Sequence, residues 1–351
     1  MTCGPRCTEG AAAERPAACA GDRAGAQRSR RRVLLLAGAS ALVSSAAPVR
    51  AQSWPAKPVR LILTAPPGSS IDVLGRLVAE ALRERLGQPV VAENRPQAGG
   101  TVGTDAVAKS APDGYTIGLS FTGPLATAPF LYAKLPYDPA RDLAPIVLVG
   151  TAPNILAVTS TLPVSTFAEL VAYVRARPGQ LNYASVGNGS ASHLAMELLK
   201  HRAGLYIVHI PFNGAPPAVQ ATAAGDVQMI MSNPTSLLPL IQAGRIRALA
   251  VTSPQRWPPM KELPTVAESG YPGFEAVAWN GFVAPAGTPR EAIARLNQEI
   301  NAVLQSPLVR PKIEAAGWDV AGGSPEAFAA FMAAERVRWQ PVIKRSGAKL
   351  D

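Results

Sequence analysis

The sequence predicts an α/β fold of two lobes, each a mostly parallel sheet flanked by helices, with a cleft between them. Three observations carry this. Short apolar runs alternate with amphipathic helical patterns through most of the chain, as expected of strands covered by helices in layers. About 300 residues follow a leader-like segment, too many for one core and suited to two. The last stretch is almost wholly helical and needs a sheet to cover, so the chain is expected to return to its first lobe.

Residues 1–51 differ from the rest. An Arg-rich stretch, "RSRRR", precedes an apolar run from Val33 to about Val43, and the small residues Val49 and Ala51 suit cleavage before Gln52. Ser29, Arg30 and Arg31 ahead of Val33 and Leu34 also resemble a twin-arginine export signal. The apolar run is too short to span a bilayer as a helix. The expectation is export with removal of 1–51, leaving a periplasmic protein. This segment holds eight Arg and three acids (Glu9, Glu14, Asp22) of the chain's 34 basic and 24 acidic residues, so 26 and 21 remain beyond it. The formal +10 is therefore halved, and nucleic acid is not an expected partner. Cys3, Cys7 and Cys19 all lie in this segment, so the remainder has no disulfide and no thiolate nucleophile or metal ligand.

The elements follow in order. Residues 59–65 (VRLILTA) read as a strand, 71–87 as a helix, 89–94 as a strand, 101–110 as a helix and 115–121 as a strand. The middle repeats the alternation: "NILAVT", "TFAELVAYVRARPG", "LNYAS", a helix from Ser190, "YIVHIPF", "PPAVQATAAG", "VQMIM", "SLLPLIQAG" and "RALAVTS". After "VAWNGFVAPAGTP" come three helical patterns. Lobe one is expected to comprise 52–152 and 280–351, and lobe two 153–279. The two crossings, near 152–158 and 276–282, would form a hinge.

Ligands of such sheets sit beyond the carboxyl ends of strands, so the loops there matter most. "YASVGNGSASH" runs from a strand through Gly187, Asn188 and Gly189 into a helix. It lacks the Lys of a phosphate-binding P-loop, has Ser192 where a dinucleotide fingerprint wants a third glycine, and is not G-x-S-x-G. What remains is a helix start, with unpaired N–H groups and the positive dipole end that attract an anion. Asn188 or Ser190 could instead simply cap the helix. "PPGSSID" (66–72) and "FTGPLAT" (121–127) are further small, uncharged loops ahead of helices, and three such loops in a two-lobed chain favour an anion site over capping alone.

The letters also resemble a family. "NRPQAGGTVGTDAVAKSAPDGY" (94–115), "YASVGNGSASHLAMELL", "HIPFNGAPPAVQ", "ELPTVAESGYPGFE" and "WNGFVAPAGTP" match, in order, blocks of the Bug-type solute receptors of tripartite tricarboxylate transporters. The resemblance covers essentially everything from Trp54 onward. It implies a type II-like, two-lobed periplasmic binding protein that closes on a small carboxylate (a di- or tricarboxylate, amino acid or aromatic acid), works as a monomer with membrane permease subunits or alternatively as a stand-alone carboxylate sensor, and needs no cofactor. It also implies the contacts: Pro67, Gly68, Ser69 and Ser70; Thr122; Ser185, Gly187, Asn188, Gly189, Ser190 and His193; and Asn213. One departure is Ser69, where relatives usually carry glycine; a side chain restricts that position at positive φ.

Two other chemistries were weighed. A hydrolase could use Ser190 or Ser192 with His193, but the only nearby acid to orient the His is Glu197. His193, His201 and His209 recur every eight residues, unlike helical zinc ligands three or four apart, so no metal is expected; His201 reads as a solvated helix end and His209 as packed.

Overall fold

In the computed structural model, residues 54–349 are described; the expected export segment lies outside them. The first lobe opens with strand β1 (Val59–Leu63), helix α1 (Ser70–Leu86), β2 (Val90–Asn94), α2 (Thr101–Ala108) and β3 (Thr116–Phe121). A π-turn (Gly123–Thr127) and the short α3 (Ala128–Leu131) lead to β4 (Leu143–Pro153). Asn154 alone separates β4 from β5 (Ile155–Thr159), which begins the second sheet.

There follow α4 (Phe167–Arg175), β6 (Asn182–Ser185), α5 (Ala191–Ala203), β7 (Val208–Pro211), α6 (Ala215–Ala224), β8 (Met229–Ser232), α7 (Pro234–Gln242) and β9 (Ile246–Val251). The chain returns through β10 (Val277–Pro285) and ends with α8 (Arg290–Leu304), α9 (Arg310–Ala315), β11 (Asp319–Val320) and α10 (Pro325–Ser346).

The six-stranded sheet runs β11-β4-β10-β3-β1-β2 and the five-stranded one β7-β6-β8-β5-β9. Each has a parallel trio, β2-β1-β3 in one and β7-β6-β8 in the other. Antiparallel strands complete both, so the sheets are mixed. The reason lies in the crossings: β4, β5 and β10 carry the chain between sheets without a helical crossover, and a parallel neighbour would need one. Helix and strand periodicity show why these elements form. In α1 the residues Ile71, Leu74, Val78, Leu82 and Leu86 recur at three or four and are buried against the sheet, Ser69 caps the start and Gly87 closes the end in the left-handed conformation.

The sheets have separate cores. One gathers Leu61, Leu63, Ile117, Leu119 and Phe282 under α1 and α8; another gathers Leu156, Val158, Tyr183, Leu194 and Met231 under α5. The last helix spans both. Phe328 and Met332 pack with Trp279 and Val283 on the first sheet, whereas Trp339 and Ile343 join the core with Leu156 and Leu194. Within the expected first-lobe segment 280–351, the second half of α10 is buried in the core that also holds Leu156 and Leu194.

Candidate functional site

Where the two sheets face each other, a cleft of about 650 Å³, open mouth included, is lined from both sides. From the first sheet come the ends of β1 and β3, the start of α1 and the middle of β10; from the second come the starts of α5, α6 and α7. Ser70 and Ile71 at one helix start and Ala191 and Ser192 at the other line it, and first-turn N–H groups have no partner within their helix. Among the described residues, no Asp, Glu, Lys, Arg or His lines this cleft. The rest of the wall mixes neutral polar side chains with apolar ones, of which Phe121, Trp279 and Trp318 are the largest. The arrangement can hold an anion by N–H groups and dipoles in a dry setting, where each counts for more than in water.

The loop before α1 is held from behind. Burial pushes Asp72 up, but the Gly68 N–H (3.0 Å), Asn94 and Arg76 outweigh it and hold the carboxyl below the usual range. Ser69 sits at φ −76° and caps the helix through Asp72 N–H, while Gly68 takes the positive φ of +77°. The serine that departs from the usual glycine therefore costs the loop nothing.

Of the expected contacts, Ser69, Ser70, Thr122, Ser190 and Asn213 line the cleft together. The others lie elsewhere. Pro67 and Gly68 are in the loop behind it, with the Gly68 N–H already given to Asp72. Ser185 bonds His209 Nε2 at 2.6 Å, and the Gly187 carbonyl accepts from Ser190 Oγ at 2.7 Å. Asn188 and Gly189 border a smaller hollow with Thr127 and Leu131. His193 faces another hollow, beside His209 and residues 347–349. Its Nδ1 accepts from the Gly189 N–H at 3.0 Å, so Ser190 and His193 do not form a nucleophile–base pair. The Ser192 hydroxyl is likewise committed, donating to the Met231 carbonyl, and Glu197 holds Tyr183 and Lys200 rather than a histidine.

Several lining residues were not expected: Asn154, Ser232, Asn233, Asn280, Trp279 and Trp318. Asn233 had a readable signal, since "MSNPTS" is a strand end followed by Asn-Pro, another helix start. Asn280 lay inside the "WNG" block. Trp318 had none, because it is brought in by the two-residue strand β11 at the sheet edge.

A family model described as tripartite tricarboxylate transporter family receptor matches residues 74–348. Protein BugT of Bordetella pertussis is 42% identical over 306 residues, covering 87% of this chain and 94% of that protein. The solved structure of R. palustris Rpa4515 with adipate superposes with a TM-score of 0.82 at 39% identity, over 85% of this chain and all of that one. MatC (Rpa3494) from Rhodopseudomonas palustris with bound malate gives 0.79 at 31% identity, over 83% of this chain and 100% of that one. The two-sheet architecture is thus that of the periplasmic binding proteins, and the chain belongs to the Bug-type receptor family of tripartite tricarboxylate transporters.

Proposed function

We propose that this chain is an extracytoplasmic receptor that captures a small organic carboxylate in the cleft and delivers it to the membrane permease of a tripartite tricarboxylate-type transporter. The observation that carries the reading is the convergence of two helix starts, α1 from one sheet and α5 from the other, on a cleft without a cationic side chain. Such a site favours an anion, and the R. palustris relatives were solved with adipate and with malate. The receptor acts in the periplasm, as a monomer, once 1–51 is removed, and carries no catalytic group.

Binding and release follow from a hinge at Asn154. Its N–H donates to Thr252 Oγ1 at 2.8 Å, and its Nδ2 donates to the Ala276 carbonyl at 2.7 Å. This ties the outgoing crossing to the segment where the chain returns. Around it the two sides of the cleft close, with Ser69, Ser70 and Thr122 on one side and Ser190 and Asn213 on the other, while α10 stays packed on both sheets.

A thermal-shift and calorimetric screen tests the reading, pairing each mono-, di- and tricarboxylate with its neutral amide. A ligand at a hundredfold excess over Kd should stabilise the protein by ~2.7 kcal/mol, and the amide should not. Equal binding of acid and amide, or of neither across the screen, would overturn the proposal.

A further inference from the structure

Four buried polar atoms in the cleft have no partner among the described residues: Asn280 Nδ2, Thr122 Oγ1, Ser232 Oγ and Asn233 Oδ1. Three of their side chains are nearly sealed, with Thr122 and Ser232 at 1% exposure and Asn280 at 2%. Native interiors seldom leave such groups unpaired, since each costs roughly 1–3 kcal/mol. Asn280 is at no helix start, and Thr122 precedes only the five-residue π-turn, which its side chain does not cap. Asn280 is in the middle of β10, paired with Phe121 at the end of β3, so Thr122 directly follows the residue opposite it.

The backbone also aims Asn280. The β10–β4 register shifts between Asn280 and Gly281, an irregularity of the kind that redirects a side chain. The next residue, Gly281, makes room for Phe328, since a Cβ there would lie 2.1 Å from Phe328 Cζ. Behind it, Trp279 is fixed by donation of its indole N–H to Glu335 at 2.9 Å. Glu335 is thereby committed, and among the described residues no carboxylate lines the cleft to receive a cation.

Resting on the carboxylate-receptor reading, we propose that Asn280, with Thr122, is the specificity-determining pair for the part of the ligand remote from its carboxylate, and that it reads a neutral hydroxyl. The preferred ligand class is then a hydroxy acid. Three alternatives fit the floor less well. A second carboxylate there would be desolvated beside a strand, without a cation or a long helix start. An ammonium would lack a counter-charge. An apolar end would expel water and leave the amide and hydroxyl unpaired. A hydroxyl serves both unpartnered atoms, since its oxygen can accept from the Asn280 Nδ2–H while its own O–H donates to Thr122 Oγ1.

The test uses matched acids of three, four and six carbons that differ only at the far end: methyl (propionate, butyrate, hexanoate), ω-hydroxyl, ω-carboxylate and ω-ammonium. Calorimetry on the wild type should show, at the best chain length, the hydroxy acid binding about tenfold or more tighter than the other three. Asn280→Ala and the near-isosteric Thr122→Val should each weaken the hydroxy acid more than the methyl acid, bringing the two to within a few fold of each other. Tightest binding of the dicarboxylate or amino acid would overturn the proposal, as would an equal loss for all arms in the folded variants. Failure of every arm, with no carboxylate bound in the wider screen, would instead remove the receptor reading on which the proposal rests.

Discussion

Trp279 and Trp339 donate their indole N–H groups to the same carboxylate oxygen, Oε2 of Glu335, each at 2.9 Å. The first indole lines the cleft and the second lies in the core beside α5, so one buried acid on α10 joins the site to the far sheet's core. Glu335→Leu strands both donors, and a loss of about 2–5 kcal/mol is expected. Glu335→Gln keeps an acceptor oxygen and should lose less. Urea denaturation of both variants checks the ranking; a neutral Glu335→Leu would contradict it.

Acid should destabilise the protein through its stacked histidines, whose ring centroids lie 4.1 Å apart. Burial, and then the Lys200 charge, push His193 down to about 4 from 6.5. Burial, and then His193, push His209 down to about 3. Both stay neutral in the fold while the unfolded chain takes up protons below about 6.5. Their contribution is therefore complete above that pH and is lost as pH falls toward 4, on the order of 3 kcal/mol for His193. Asp72, held low, weakens the fold only at more acid pH. Denaturation at pH 7, 6 and 5 should show the decline, with a shallower slope in His193→Gln; no change between pH 7 and 5 would rule out this role.

Gly189 is required by a neighbour rather than by the cleft. Its φ is +75°, and a Cβ would lie 2.2 Å from Leu131 Cδ1. Gly189→Ala should cost about 1–3 kcal/mol through backbone strain, read as a lower melting temperature. Ser190→Ala, which loses the cap to His193 N–H, should cost about 0.5–2 kcal/mol. An unchanged Gly189→Ala protein would contradict the account.

Closure about Asn154 should be visible in solution. With a saturating carboxylate, small-angle scattering is expected to show a smaller radius of gyration than without it. Thr252→Val removes the hydroxyl that joins Asn154 N–H to the Ala276 carbonyl, and should loosen that difference. Identical radii with and without ligand would exclude the hinge.

Local chemistry was sufficient for much of this protein. Apolar periodicity marked β1, α1 and β3 to within two residues, because an element that buries one face must repeat at its own period. The cap at Ser190 and the loop feeding α1 were also legible, since a helix start is a problem solved within four residues. What tertiary structure decided was which of these groups meet. The glycines of "VGNGS" read as part of a ligand loop, yet the Gly189 carbonyl meets Thr127 across the sheets and its N–H meets His193. Asn280 is one polar residue in an apolar strand; only its pairing in the sheet, with a register shift beside it, puts it in the cleft wall. Trp318 reaches the same cleft from 38 residues further along the chain, carried by a two-residue strand that no periodicity could mark. Periodicity acts between neighbours in sequence, whereas a site between two sheets is assembled from residues whose proximity is fixed by packing alone.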